Sequence, residues 1–445
     1  MLSYASPVPL VLFLNLLSLS KAAAYDEQCN SNLVTYWGQN SYGAANSVDN
    51  ANWQKRLSHY CQDDTINAIP IAFLNVFSDG TGNPQINLAN TCNDLCFSGT
   101  QLLNCSFLSA DITTCQSKGK LVTLSLGGAT GGGPADAAFA DKIWNMFLGG
   151  SSSTRPFGPA VLDGVDLDIE GGLNSYDAFV NQLREHFSRA RKKYYMWVRR
   201  PPRAFSLFLM LFPSTAAPQC PYPDSYVGSS INGAKFDALY VQFYNNPCSV
   251  CHYGESAWNF GTWDWWAKNV SPNPDIKIFL GVPASATAAS SGYVSSSQLT
   301  SIIRALRSSF PSFGGVMMWD ASQAHANGRY DQSVKGALSN GGSCGGFVYP
   351  ACDAPQWSST GSYPPGSRIT YQGYVWTARY YGSGAPSGSD IGSWVPAYAC
   401  RESSATLASS NFSSPKTITI GTRTSSSDGI CSLRLCTGSR CPQCH

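Results

Sequence analysis

The residues best suited to chemistry lie in one short run, Asp163-Gly164-Val165-Asp166-Leu167-Asp168-Ile169-Glu170. From Asp166 onward, acids alternate strictly with large apolar residues. In an extended strand, alternate side chains share a face. Asp166, Asp168 and Glu170 are therefore expected on one face, with Val165, Leu167 and Ile169 on the other. Neighbouring acids on one face lie about 6.7 Å apart. At an effective dielectric of about 20, each ionised pair then costs roughly 2.5 kcal/mol, or about two pKa units. Three such acids are expected to keep a proton among them. A Glu held protonated near neutral pH is a general acid. A solvent-facing acidic edge or a calcium site would not require the apolar alternation.

The elements around this run must hold it in place. Short runs rich in β-branched and aromatic residues recur along the chain. They predict strands at Leu33–Trp37, Ala68–Phe77, Leu121–Leu126, Gly164–Glu170, a disturbed one around Tyr194, then Ala238–Tyr244, Lys277–Val282 and Gly315–Trp319. Helical patterns at Ala135–Leu148, Tyr176–Lys193 and Ser297–Phe310 fall between them. Strands alternating with helices imply an α/β fold with parallel strands, and eight such units imply a closed (β/α)8 TIM barrel. Chemistry in such barrels sits at the C-terminal strand ends. That directs attention to Trp37, Phe77, Gly127, Glu170, Tyr244, Pro283 and Trp319. The acids of the fourth strand would line the interior, with its apolar residues packed on helices.

The acidic run resembles the DxxDxDxE signature of family-18 glycoside hydrolases, with Asp163, Asp166, Asp168 and Glu170 in the four acidic positions. Tyr36-Trp37-Gly38-Gln39-Asn40 resembles the first strand of fungal and plant class III chitinases. Ser125-Leu126-Gly127-Gly128 is similar to the SxGG motif of the third strand. Gln242-Phe243-Tyr244-Asn245-Asn246 resembles the sixth, and Met317-Met318-Trp319-Asp320 the eighth. The resemblance spans roughly residues 30–340, with the motifs in the family's order. It implies that Glu170 protonates the glycosidic oxygen. It further implies that the substrate's own acetamido group is the nucleophile, since this family is an exception to the two-carboxylate scheme. Asp168 would orient that group and Asp166 would hold the proton Asp168 trades. Tyr244 would bond the acetamido oxygen and Trp319 would floor the distorted sugar. Tyr36, Gln39, Gln242 and Asp163 are further candidates for binding substrate. Taken without the motifs, Tyr244 and Trp319 read as core aromatics, and Tyr36 and Gln39 could equally close the barrel. Ser125 reads as structural, and Gly127 and Gly128 as allowing close backbone approach.

Composition agrees with a neutral, flat-faced partner. Charged residues make up 13% of the 445-residue chain and the formal net charge is +2, without a long basic run. That argues against nucleic acid. The 12 Trp and 22 Tyr suit stacking on sugars or a large aromatic core. An apolar stretch from Val8 to Leu19, then Lys21 and Ala22-Ala23-Ala24, reads as a cleaved export signal over residues 1–24. The stretch is short for a membrane span, and no later segment suggests one. Sixteen cysteines agree with an oxidising compartment. Cys248-Ser-Val-Cys251 has metal-ligand spacing but no second pair at a zinc-site distance, so a structural disulfide is expected there and neither metal nor cofactor. Asn104, Asn269 and Asn411 begin glycosylation sequons. The picture is a secreted monomer, associated with cell wall in one reading, that neither binds nucleic acid nor enters a membrane.

The barrel pattern, residues 25–340, ends at a Gly-rich stretch over 341–350. Residues 351–400 then carry Trp357, Tyr363-Pro364-Pro365-Gly366, Tyr371-Gln372-Gly373-Tyr374, Trp376, Tyr380-Tyr381 and Trp394. They resemble the small, mostly β chitin-binding modules of carbohydrate-binding families 5 and 12. That resemblance puts exposed aromatics at Tyr380 and Tyr381, with Trp357, Trp376 and Trp394 read as core. Cys352 and Cys400 bracket the segment and would staple it. Residues 401–445 read as a disordered tail, because 14 of residues 401–430 are Ser or Thr.

One segment departs from the family pattern. Lys193-Tyr194-Tyr195 and Ala216-Ala217-Pro218-Gln219-Cys220-Pro221 are the two ends of the family's fifth strand, yet some twenty residues separate them. Arg199-Arg200-Pro201-Pro202-Arg203 cannot continue a central strand, and the apolar Phe205–Phe212 is unsuited to a surface loop. Residues 197–213 read as translated intron; a looped-out insertion is the rival. Together the features point to an endo-acting chitinase binding chitin and N-acetylglucosamine oligomers. An endo-β-N-acetylglucosaminidase acting on glycoprotein glycans and a non-catalytic sugar-binding barrel are the alternatives.

Overall fold

The computed structural model describes residues 24–80, 82–93, 95–172, 175–192, 214–388 and 392–402. Residues 1–23 of the expected export signal, the segment 197–213, the sequon at Asn411 and all but the first two residues of the expected tail lie outside them.

Eight parallel strands close a barrel: β1 Asn32–Thr35, β2 Ala68–Val76, β3 Leu121–Gly128, β4 Val165–Ile169, β5 Ser214–Ala216, β6 Ala238–Gln242, β7 Lys277–Pro283 and β8 Phe313–Trp319. Closure is made by β1, which pairs in parallel with β2 through Val34 and Ala68 and with β8 from Asn32 opposite Gly315 to Thr35 opposite Met318. A short strand, Gln85–Ile86, returns antiparallel onto β2. The fifth strand was expected around Tyr194. Tyr194 lies outside the described residues; the described part of the strand begins at Ser214, and Val165, Asp166 and Leu167 pair with Ser214, Thr215 and Ala216.

The alternation in β4 does what its period requires. Val165, Leu167 and Ile169 join the outer core, against residues such as Phe179, Val180 and Leu183 of the helix Asp177–Arg189. The interior holds a second cluster that includes Val34, Tyr36, Tyr240, Tyr244, Phe279 and Met317. Trp37 and Phe77 were expected at the catalytic rim. Both are buried in the outer core instead, because they follow the strand period to the helix side.

Residues after the barrel form an antiparallel sheet, β9 Arg368–Tyr371, β10 Tyr374–Ala378 and β11 Trp394–Ala399. Ile369, Tyr374, Trp376 and Trp394 build its small core, and a Cys352–Cys400 disulfide closes it. The sheet packs on the barrel helix Phe260–Asn269. Trp265 meets Trp376 edge-on, and the Tyr374 hydroxyl donates to buried Asp264 at 2.7 Å. A Cβ on Gly261 would collide with the Pro396 carbonyl, so this close approach needs glycine.

Four further disulfides join Cys29–Cys344, Cys61–Cys115, Cys92–Cys105 and Cys220–Cys248. Cys248 therefore pairs away from Cys251, whose thiol is free and exposed. Among the described residues, no helix is long and apolar enough to cross a membrane.

Candidate active site

Asp166 lies at the bottom of the site, fully buried on β4. Three hydroxyls from three other strands donate to it: Tyr36 at 2.6 Å, Ser125 at 2.7 Å and Thr215 at 2.8 Å. Burial pushes its carboxyl above the ordinary aspartate range, and these hydroxyls partly offset the shift. Two residues along, Asp168 accepts from Gln242 Nε2 at 2.9 Å. Its carboxyl is held well above the usual range, first by burial, then by the charges of Glu170 and Asp166. Glu170 is half-buried at the strand's end. Burial raises its proton affinity too, and the charge of Asp224 adds to it. The sequence argument put like-charge repulsion first; desolvation leads at all three acids.

Above them is a cavity of about 290 Å³. Asp168, Glu170, Gln242, Tyr244, Trp319, Phe73 and Gln39 are among the residues that line it. Tyr244 is buried beside the acids. Desolvation, followed by their charges, raises its hydroxyl far above the normal phenol range, so it remains a neutral donor. Trp319 lies near-parallel to Phe73, centroids 5.7 Å apart with 16° between planes. Asp320 anchors this corner by capping the next short helix at Gln323 N (3.0 Å) and accepting from Ser41 N on the β1 loop (3.1 Å). Gly127 and Gly128 also line the cavity. A Cβ on Gly127 would strike the Asp168 carbonyl, and its φ of +110° is strained for other residues. Glycine there lets β3 approach β4.

Not every predicted residue meets in the cavity. Glu170, Asp168, Tyr244, Trp319, Gln242 and Gln39 do. Tyr36 is 1% exposed, is not among the residues lining the cavity, and its hydroxyl donates to Asp166. Asp163 is a clearer correction. It precedes β4 and accepts from Gln116 Nε2 at 2.9 Å and Val122 N at 2.8 Å, with Lys192 at 3.1 Å. It ties β3 to β4 below the site. Gln39 is oriented by donating to the carbonyls of Ala72 and Asn87, both at 2.9 Å. Tyr380 and Tyr381, in the connection that follows β10, are 59% and 66% exposed.

Sequence reasoning missed Thr215 and Gln219. Thr215 follows Ser214, whose backbone starts β5, and its hydroxyl reaches Asp166. Gln219 Nε2 approaches Glu170 Oε2 at 3.5 Å and Gln242 Oε1 at 3.4 Å. Gln219 lies in the Ala216-Ala217-Pro218-Gln219 string, which was read only as a strand marker, and Thr215 immediately precedes it.

Comparisons with known proteins agree with this arrangement. The family model for glycosyl hydrolases family 18 matches residues 32–334. A protein named Chitinase 2, from Rhizopus oligosporus, is 48% identical over 318 residues, covering 70% of this chain and 53% of its own length. The chain thus spans about half of that relative. Endochitinase 33 from Trichoderma harzianum is 42% identical over 338 residues, covering 72% of this chain and 95% of its own. The crystal structure of ICChI chitinase from Ipomoea carnea aligns with a TM-score of 0.53 and 32% identity, across 69% of this chain and 99% of that one.

Proposed function

This chain belongs to family 18 of the glycosyl hydrolases, and from that premise we propose that it is a secreted endochitinase, cutting β-1,4 bonds between N-acetylglucosamine units with retention of configuration. The observation that carries this is the placement of Asp168 and Glu170, both raised in proton affinity, in one cavity with the neutral hydroxyl of Tyr244 and the indole of Trp319.

Glu170 in its acid form donates its proton to the glycosidic oxygen as the bond to the anomeric carbon breaks. The acetamido carbonyl oxygen of the same sugar attacks that carbon and forms an oxazolinium ion. Asp168 accepts from the acetamido N–H and balances the positive charge. Tyr244 donates to the acetamido oxygen, and Trp319 supports the distorted ring. Water, deprotonated by Glu170, then opens the ring from the face the leaving group left. Two inversions retain the β-anomer.

The exposed Tyr380 and Tyr381 are read as the chitin-stacking surface of a C-terminal binding module spanning residues 351–400. Export rests on the signal-like residues 1–24, and the protein is read as a monomer. Residues 197–213 are read as intron-derived.

The test uses two substrates and the Glu170→Gln variant. The parent should release soluble oligomers from chitin and leave fully deacetylated chitosan uncut, because chitosan lacks the attacking acetamido group. The variant should lose about 10²–10⁴ of the rate. Cleavage of a high-mannose glycoprotein but not of chitin would transfer the reading to endo-β-N-acetylglucosaminidase. Binding without cleavage would favour the non-catalytic barrel.

A further inference from the structure

Gln219 is absent from the residues lining the cavity, yet it bonds to Glu170 and to Gln242, the residue that donates to Asp168. Its Oε1 accepts from Asn246 Nδ2 at 2.5 Å. That bond fixes which end of the amide points where. Nε2 is turned to Glu170 Oε2 (3.5 Å) and Gln242 Oε1 (3.4 Å). Gln242 is oriented in turn, because its own Nε2 donates to Asp168 Oδ1 at 2.9 Å and the Ala217 carbonyl at 3.0 Å. Each amide can donate only from nitrogen and accept only at oxygen. The series Asn246 to Gln219 to Gln242 to Asp168 therefore runs in one direction, with a branch to Glu170.

The backbone that carries this series is braced. Gln242 N donates to Pro218 O at 2.8 Å, and the Gln219 N–H is held by Asp224 at 2.9 Å. Cys220 follows Gln219 directly, and its disulfide partner Cys248 lies two residues beyond Asn246. The segments bearing the two outer amides are thus covalently joined beside the site.

We infer that Gln219 is a positioning residue for the reaction, aiming the Glu170 carboxyl and linking it through Gln242 to Asp168, with Asn246 fixing the direction of donation. The inference rests on the reading of Glu170 as the acid. An N–H donated to a carboxylate favours its charged form. Losing it raises the pH at which Glu170 gives up its proton. Since the acid form does the work, the alkaline limb of the pH profile moves up even as the rate falls.

The experiment compares the full chain with Gln219→Ala, Asn246→Ala and the double variant. Chitin-oligomer cleavage is measured across pH. In parallel, the Glu170 carboxyl is titrated by carbon-13 NMR of Glu-labelled protein and assigned by its loss in Glu170→Gln. Either single variant should lower kcat about tenfold with little change in KM, and raise the alkaline limb and the NMR midpoint by about half a unit. The double variant should be no worse than Gln219→Ala, because Asn246 acts through Gln219. An unmoved limb and midpoint, or losses that simply add, overturn the inference. If the parent chain does not cleave chitin, the activity reading fails separately, and the midpoint alone decides: raised in Gln219→Ala, the positioning stands; unmoved, it falls.

Discussion

Asp168 is enclosed, with Gln242 donating to one oxygen and two other acids near it. Its folded proton affinity exceeds that of an unfolded aspartate. Such a group contributes stability below its unfolded pKa and loses that contribution as pH rises through its folded pKa. Asp168→Asn should therefore melt higher than the parent at neutral pH, while cleaving chitin at least about a hundredfold more slowly. The two melting curves should converge in acid, below about pH 4. Calorimetry across pH checks this, and a constant gap would mean that folding does not raise the proton affinity of Asp168. Glu170 and Asp168 were legible because acid and apolar residues alternate along one strand. The hydroxyls around Asp166 were not. Tyr36, Ser125 and Thr215 come from three different strands, and only barrel closure brings them to one carboxylate.

Two supports of the acids depend on strand β5: Thr215 within its described part and Gln219 just beyond its end. Its neighbours were readable from their β-branched runs. The fifth was not, because Arg199 to Arg203 and the apolar run behind it interrupt the pattern where the strand should begin. Deleting residues 197–213 would join Met196 directly to Ser214 in the sequence and restore the uninterrupted run from Lys193-Tyr194-Tyr195 into Ala216-Ala217-Pro218. The shortened chain should melt a few degrees higher and cut chitin at least as fast. A lower melting temperature and lost activity would mean that the segment belongs to the fold.

At the scale of the whole molecule, the C-terminal sheet rests against the barrel through Trp265, Gly261 and Asp264. Asp264 is buried, and it accepts from Ser312 N as well as from the Tyr374 hydroxyl. Tyr374→Phe removes one donor across this contact and should cost about 1 kcal/mol of stability, read by denaturant melts. An unchanged midpoint would contradict the contact. Replacing Tyr380 and Tyr381 together by Ala should weaken retention on insoluble chitin about tenfold; unchanged retention would contradict the stacking surface. The sequence disclosed the module's aromatics and its bracketing cysteines. It did not disclose the docking, because Trp265 and Gly261 gain meaning only from what packs on their helix.

The most direct measurement follows the anomeric protons of freshly released product by NMR during hydrolysis of a short chitin oligomer. Substrate-assisted chemistry on Glu170 predicts that β-anomer appears first and relaxes to the α/β mixture, and that Glu170→Gln releases nothing on that timescale. Initial α-anomer, or undiminished cleavage by the variant, would contradict it.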